Sequence, residues 1–401
     1  MYIHKQFKKD IKIQDLKDFE LTGNQTILEN INRLIKYIQT NKVLASKARG
    51  HFPIKQIQEL NSILVKPYDI ISTRPQQQTY PNLNGLYLIL RSMGILTFAV
   101  SKKEIVMGID EKLLKNWQKL NETEQYFTLL EIWLVRAKQQ TIINSGGYQD
   151  LAIGSLYLFF RKNHSITQKE FISNLHYIPE YHNLALLEMF GFIDIKDSKP
   201  KEKNRWNIID VKITPLIQMI YPLIILDDKE LSQLIFDIPK QGFYKEIFQP
   251  YFKDLNNSLK YPADEVRNGT FVLKITLQKA YRSIEVPSDI DFENLAELIL
   301  QLFNFDNDHL FEFVFTNRFG EKKEVKSYHS IQEESDFDAG EFYLKNLPLK
   351  ELENFTFIFD FGAWWEFDIL IEKFYDGKKI EKVEIIKSHG EAPEQYDFST
   401  F

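Results

Sequence analysis

The feature that most constrains the fold of this chain is a change in hydrophobic period near Thr270. Before this point apolar residues recur at spacings of three and four, which is typical of amphipathic helices. After it they alternate, as in TFVLKITL and FTFIFDF, which predicts strands that bury one face. The chain is therefore predicted to be α+β: mainly helical N-terminal units are followed by a C-terminal domain of hairpin, helix and antiparallel sheet.

Three domains are expected along the 401 residues. Residues 1–138 and 149–252 carry the helical patterns, and residues 270–401 carry the alternating ones. The stretch 253–269 contains Asn, Pro and Gly and is expected to be a linker.

A helix, a glycine and a hairpin occur in this order twice in the N-terminal part. The first copy runs from Asn82 through Gly94, and the second runs from Asn183 through Gly191 to a hairpin with a charged tip. This order is typical of the winged helix, so two winged-helix-like units are predicted. Two capping boxes predict helix starts, Asn121 with Glu124 and Thr167 with Glu170. In the C-terminal domain, Asp291 is predicted to cap the amphipathic helix FENLAELILQLF.

A winged helix that reads duplex DNA needs polar side chains on its helix and basic groups on its wing. The two helices offer four candidates for base edges: Asn82, Asn84, Arg91 and Asn183. The second hairpin tip offers five basic side chains for phosphates: Lys196, Lys199, Lys201, Lys203 and Arg205. Because acidic residues are interspersed there, a solvated wing on a protein-binding domain is an equal alternative.

Charge is distributed unevenly along the chain. Residues 1–100 contain 14 Lys and Arg against 7 Asp and Glu, whereas residues 251–401 contain 17 against 30. Opposite signs at the two ends indicate either two different partners or a contact between the ends, unless both are ordinary solvated surfaces.

The composition excludes several classes of protein. The chain has no cysteine, which rules out disulfides, thiolate metal sites and cysteine nucleophiles and suits the reducing cytoplasm. The most apolar run, Ile213 to Leu226, is interrupted by Pro215 and Pro222 and is too short to cross a bilayer. We therefore expect a soluble cytoplasmic protein with no membrane contact.

Four sequence landmarks follow one another in the C-terminal domain. They are Val286–Pro287, DNDHLFEF at 306–313, FDFGAWWEFD at 359–368 and GEAPEQYD at 390–397. In type and order they resemble the Ri-plasmid ORF-3-like family, and the resemblance covers residues 270–397. Most members of that family are uncharacterised; some are named as passenger or resolvase-like proteins of insertion elements, and others are plasmid-borne.

The chain departs from the family pattern at three positions. Members usually carry His where this chain has Phe311 and Phe367, and an acidic residue where it has Ala363. If those side chains form a polar or metal site in relatives, apolar groups replace it here. We therefore expect no metal and no small-molecule cofactor.

The turn between the two aromatic strands supplies the candidate site residues. Asp360-Phe361-Gly362 matches the kinase tripeptide in spelling only, and Gly362 is expected to permit a tight turn. Strand alternation places Phe361, Trp364, Trp365 and Phe367 in the core, with a partner-binding patch as the alternative. The motif residues singled out as a partner surface are Asp308, His309, Asp360, Gly362, Trp364, Trp365 and Glu366.

The sequence contains no P-loop, no zinc-protease motif and no arginine cluster around a serine. We therefore expect a non-enzymatic intracellular binding or adaptor protein whose partner is another protein or duplex DNA. Two alternatives stay open at this point. One is a protein of plasmids or mobile elements that binds duplex DNA, and the other is an enzyme with an unrecognised site.

Overall fold

The computed structural model of the chain describes residues 25–46, 50–72, 74–101, 104–137, 181–200, 206–224, 240–263, 265–327 and 336–396. These residues form two compact units that divide between Pro262 and Ala263, with Phe98–Glu104 grouped with the second. Helices predominate in the first unit and an antiparallel-rich sheet in the second, so the architecture is α+β as predicted. Among the described helices, none combines the length and apolar character needed to cross a membrane.

The described helices of the first unit are α1 (Ile27–Thr40), α2 (Ile54–Ser62), α3 (Pro81–Ser92), α4 (Glu111–Trp117), α5 (Glu122–Glu131), α6 (Tyr181–Met189), α7 (Pro215–Ile224) and α8 (Phe243–Phe248). A π-helical turn, Ile132–Arg136, continues α5. The strands are β1 (Val43–Ala45), β2 (Leu96–Ser101), β3 (Glu104–Ile109), β4 (Ile193–Ser198) and β5 (Asn207–Ile213). They form a three-stranded sheet in the order β1-β3-β2 and a separate β4-β5 pair.

Both predicted successions of helix, glycine and hairpin are present in this unit. Gly94 and Gly191 follow α3 and α6 with φ angles of 74° and 78°, a left-handed conformation in which glycine ends helices without a Cβ clash. The Asn121–Glu124 capping box is confirmed, because the Asn121 side chain accepts the Glu124 N–H at 2.9 Å. The second predicted box, at residues 167–170, lies outside the described residues. The winged-helix class and the three-domain division stay predictions.

Helices α3 and α6 pack directly against each other. A Cβ built on Gly85 would lie 2.8 Å from Cγ of Leu186, so glycine permits the close approach of the two helices. The three asparagines considered for base edges are buried: Asn82, Asn84 and Asn183. A helix that is covered by its neighbours cannot enter a DNA groove. The prediction that these asparagines read bases is therefore wrong for this structure.

The buried carboxylate of Glu124 forms hydrogen bonds with the start of the predicted linker. Its Oε1 accepts the backbone N–H groups of Asn256 and Asn257 at 3.2 and 2.7 Å. The described residues of 253–268 are irregular, and the boundary between the two units falls within this stretch. Its role as a linker stays a prediction. Its first residues are nevertheless fixed to the helical unit by the hydrogen bonds to Glu124.

Glu131 is a second buried carboxylate in the helical unit. It accepts the N–H groups of Gly242 and Tyr244 at 3.1 and 3.0 Å and pairs with Arg136 at 2.6 Å. These bonds neutralise its charge in the interior and orient the start of α8.

The second unit is built on an eight-stranded sheet. Its strands are β6 (Gly269–Leu277), β7 (Ala280–Pro287), β8 (Phe311–Thr316), β9 (Lys322–Lys326), β10 (Phe337–Asp338), β11 (Asn354–Phe359), β12 (Trp365–Asp376) and β13 (Glu384–His389). Their order is β10-β9-β8-β11-β12-β6-β7-β13, and every pair is antiparallel except β10 with β9. One helix, α9 (Phe292–Leu302), connects β7 to β8.

Helix α9 covers the apolar side of this sheet. Asp291 caps it by accepting the Asn294 N–H at 2.8 Å, as predicted. Its residues Leu295 and Ile299 are fully buried in one core with the inward-facing aromatic side chains of β8, β11 and β12. These strands therefore stand in fixed register, and the turn that joins β11 to β12 is held at one end of a rigid sheet.

Candidate functional site

Three sequence landmarks that are far apart along the chain meet at this end of the sheet. They are the segment before β8, the turn between β11 and β12, and the C-terminal segment after β13. Gln395 accepts the Asp306 N–H at 2.6 Å and donates to Oδ1 of Asp308 at 3.1 Å. The hydroxyl of Tyr396 donates to the other carboxylate oxygen of Asp308. The C-terminal landmark thus clamps the segment that leads into β8.

Asp360 organises the turn itself. Its Oδ1 accepts the N–H groups of Gly362 and Ala363 at 2.9 and 3.2 Å, and its carbonyl accepts the Trp364 N–H at 2.6 Å. Its own N–H donates to the Leu310 carbonyl at 3.0 Å, which joins the turn to the segment before β8. An aspartate that bonds to the amides after it in this way fixes a local turn.

Gly362 lies in the tight turn between β11 and β12, but it is not the residue that supplies the left-handed backbone angle of the turn. The left-handed residues are Asp360 and Trp364, with φ angles of 55° and 57°. Gly362 instead leaves room for the turn-forming carboxylate, because a Cβ on it would lie 3.2 Å from Oδ1 of Asp360. Two non-glycine residues with positive φ in one short turn are uncommon.

The turn exposes aromatic side chains that strand alternation placed in the core. Trp364 is 54% exposed, Phe361 is 41% exposed and their ring centroids lie 6.3 Å apart. Leu310, whose carbonyl bonds to the turn, is 43% exposed. The core prediction is therefore wrong for Phe361 and Trp364. We call Leu310, Phe361 and Trp364 the turn patch.

Phe367 and Trp365, at the start of β12, are more buried than the residues of the turn patch. Phe367 is fully buried against Phe303, Phe305 and Phe357, as the alternation predicted. Trp365 is half-buried, and its ring contacts Phe305 edge-on at 5.1 Å. Their roles are structural in this fold.

Phe311, like Phe367, lies where the resemblance implied histidine. Both side chains belong to the core that α9 covers. A polar or metal site built from these two positions cannot exist here, because apolar groups fill it.

His309 lies between two carboxylates at the rim of the turn patch. Its Nε2 is 3.6 Å from Oδ2 of Asp360 and 3.9 Å from Oδ1 of Asp308. The Tyr396 hydrogen bond holds the pKa of the Asp308 carboxyl below its usual range, and the same bond raises the pKa of Tyr396 to about 12. Within the part of the chain that the structure describes, no group of three His, Asp or Glu is placed to hold a metal ion.

The structure brings most of the predicted motif residues together. Asp308, His309, Asp360 and Trp364 surround one end of the sheet, and Glu366 is exposed on β12 beside them. Gln395, Tyr396 and Leu310 were not singled out as site residues, although they lie in or beside the sequence landmarks. The C-terminal landmark could have indicated Gln395 and Tyr396. A motif that follows the last strand is expected to pack against another part of the same domain.

The basic residues predicted for the second hairpin are not part of the turn patch, because that hairpin belongs to the helical unit. Lys196 and Lys199 are exposed on the β4-β5 hairpin. The other three predicted phosphate contacts, Lys201, Lys203 and Arg205, lie outside the described residues. Asp197 on the same hairpin accepts the Trp206 indole N–H at 2.9 Å, so it has a structural role.

Residues 270–396 match the family model described as "Plasmid pRiA4b ORF-3-like protein". The resemblance inferred from the four landmarks is thereby confirmed for this C-terminal segment. No curated protein matches the chain. A crystal structure of a protein of unknown function from Methanosarcina mazei Go1 matches with 20% identity over 32% of this chain and 72% of that one, at a TM-score of 0.28.

Proposed function

We propose that the C-terminal unit is a non-enzymatic protein-binding module whose contact surface is the turn patch. The observation that carries this proposal is the conformation of Trp364, a bulky residue held at a φ of 57° with 54% of its surface exposed. This conformation costs roughly 1–3 kcal/mol. Half of the side chain nevertheless stays in water, where it can contact a partner.

The composition of the turn patch fits a contact surface. Trp is among the residues enriched at the energetic centres of protein interfaces, where it fills a pocket of the partner. Trp364 stands beside Phe361 on a turn whose backbone Asp360 fixes, and the carbonyl of Leu310 bonds to that turn. The ring is therefore presented with little loss of entropy on binding. A rigid aromatic anchor of this kind is what a binding module needs.

Enzymatic chemistry at the same site finds less support. The carboxylates of Asp308 and Asp360 accept hydrogen bonds that hold the three segments together. Their bonds therefore have a structural explanation. We propose that the protein acts by binding, in the cytoplasm that its cysteine-free sequence suits.

Site-directed photo-crosslinking tests the proposal. Benzoyl-phenylalanine replaces Phe361 in the full-length protein, which is then irradiated in extract of the source cells. We expect one reproducible protein adduct, which mass spectrometry identifies. The matched control places the same group at Val266, which is 56% exposed in the same unit and is not part of the turn patch. Equal adducts at both positions would mean that the turn patch makes no specific contact.

Duplex DNA is the second candidate partner, and the exposed side chains of Lys196 and Lys199 favour it. Because the asparagines of α3 and α6 are buried, such binding would rest on phosphate contacts and would not depend on sequence. Charge reversal of both lysines should then abolish retention on duplex DNA at low salt. Retention that is equal in the wild type and the reversed variant would remove this candidate.

A further inference from the structure

We infer that the partner of the turn patch is a basic protein segment with an apolar anchor. The inference rests on the proposed function and adds the chemical class of the partner. It follows from the charges around the turn patch.

The segments that form the turn patch and its rim contain no lysine or arginine. This holds for residues 304–313, 358–370 and 390–396. The exposed carboxylates at the rim come from all three segments: Asp306, Asp308, Glu366 and Glu394. Glu391 is not counted with them, because the Arg282 guanidinium donates to the carbonyl of the adjacent Gly390 at 3.2 Å.

Asp308 precedes Leu310 by two residues and Glu366 follows Trp364 by two, so these carboxylates border the apolar centre along the chain. Asp308 and Asp360 flank His309 at 3.9 and 3.6 Å, and Asp360 is itself part of the turn. Gln395 ties Asp306 and Asp308 to the C-terminal segment.

An apolar centre with a mainly acidic rim selects its partner by charge. Like charges across an interface cost free energy, and opposite charges speed the encounter and fix the orientation. The larger environment has the same sign, because residues 251–401 contain 17 Lys and Arg against 30 Asp and Glu. The chemistry that fits is a leucine, methionine or aromatic anchor flanked by lysine or arginine.

Three labelled synthetic peptides test this inference by fluorescence anisotropy with the full-length protein. The first is an amphipathic peptide of leucine and lysine, the second replaces each lysine by glutamate, and the third replaces each leucine by serine. We expect the leucine–lysine peptide to bind, and its affinity to fall at least about tenfold for Trp364→Asn. Its affinity should also fall as ionic strength rises, because salt screens the rim.

Neutralising the rim separates charge from apolar contact. Asp306→Asn with Glu366→Gln should weaken the leucine–lysine peptide about fivefold at low salt. The matched control, Asp289→Asn with Glu297→Gln, removes two exposed carboxylates of the same unit outside the rim and should leave binding unchanged.

The possible outcomes distinguish the two proposals. If the leucine–glutamate peptide binds as tightly and still depends on Trp364, the basic partner is wrong and the turn patch stands as a binding surface. If the leucine–lysine peptide binds Trp364→Asn as well as the wild type, both proposals fail. Equal binding of the serine–lysine peptide, or no binding of any peptide, also overturns the inference.

Discussion

Alanine usually gives a more stable protein than glycine at the same position. The left-handed conformation of Trp364 predicts the reverse order at position 364. Trp364→Ala and Trp364→Gly remove the same ring, about half of whose 150–250 Å² is buried, so each loses up to about 2.5 kcal/mol of burial. Alanine keeps a Cβ at a φ of 57°, whereas glycine adopts this angle freely. We therefore expect the glycine variant to be more stable than the alanine variant by about 1 kcal/mol.

The measurement is hydrogen exchange of β11 and β12 in the full-length protein over a urea series, which reports the opening of the C-terminal unit. Val266 serves as the control position, because it is exposed and its φ is not positive. There alanine should be at least as stable as glycine. If Trp364→Ala proves as stable as Trp364→Gly, the backbone is not strained at this position, and the argument that the ring is kept for binding fails.

Three further predictions follow from packing and electrostatics. Gly85→Val should destabilise the helical unit by about 1–3 kcal/mol in urea unfolding, because even its Cβ would meet Leu186, and a wild-type midpoint would contradict that packing. Glu131→Ala should cost about 3–5 kcal/mol by the same measurement, since it leaves buried donors unpaired; a loss below about 1 kcal/mol would show that water replaces the carboxylate. Because its folded pKa lies below the ordinary value of 3.8, Asp308 stabilises the clamp above that pH and loses the effect as pH falls through the folded pKa. Tyr396→Phe should raise the Asp308 pKa in an NMR titration, and an unchanged pKa would show that the hydroxyl bond does not form.

Local patterns predicted the elements of the C-terminal unit well. Alternating residues placed β6, β11 and β12, and Asp291 marked the start of α9. Each of these signals lies within a few residues of the element that it predicts. The family landmarks added the resemblance over residues 270–397, and the family model matches residues 270–396.

The site was harder to predict because it depends on contacts across long stretches of sequence. Tyr396 meets Asp308 across 88 positions, and no local pattern indicates that pairing. Alternation failed at Phe361 and Trp364 because it holds only while the backbone stays extended. Once Asp360 turns the chain, the next side chains leave the core.

The buried helices α3 and α6 show a similar effect of tertiary contacts. Their asparagines look like DNA-reading side chains in a linear sequence. Gly85 offered the contrary signal, because a glycine within a helix weakens it and is retained where another helix must approach closely.

The central claim is that Trp364 is an anchor for a protein partner. Its most direct test is the affinity of full-length protein for the adduct protein identified by crosslinking, measured by calorimetry for the wild type and Trp364→Asn. Asparagine tolerates the left-handed angle, so the variant should keep the turn while losing the ring. A loss of affinity of at least about tenfold is predicted. Equal affinities in the two proteins would contradict the claim.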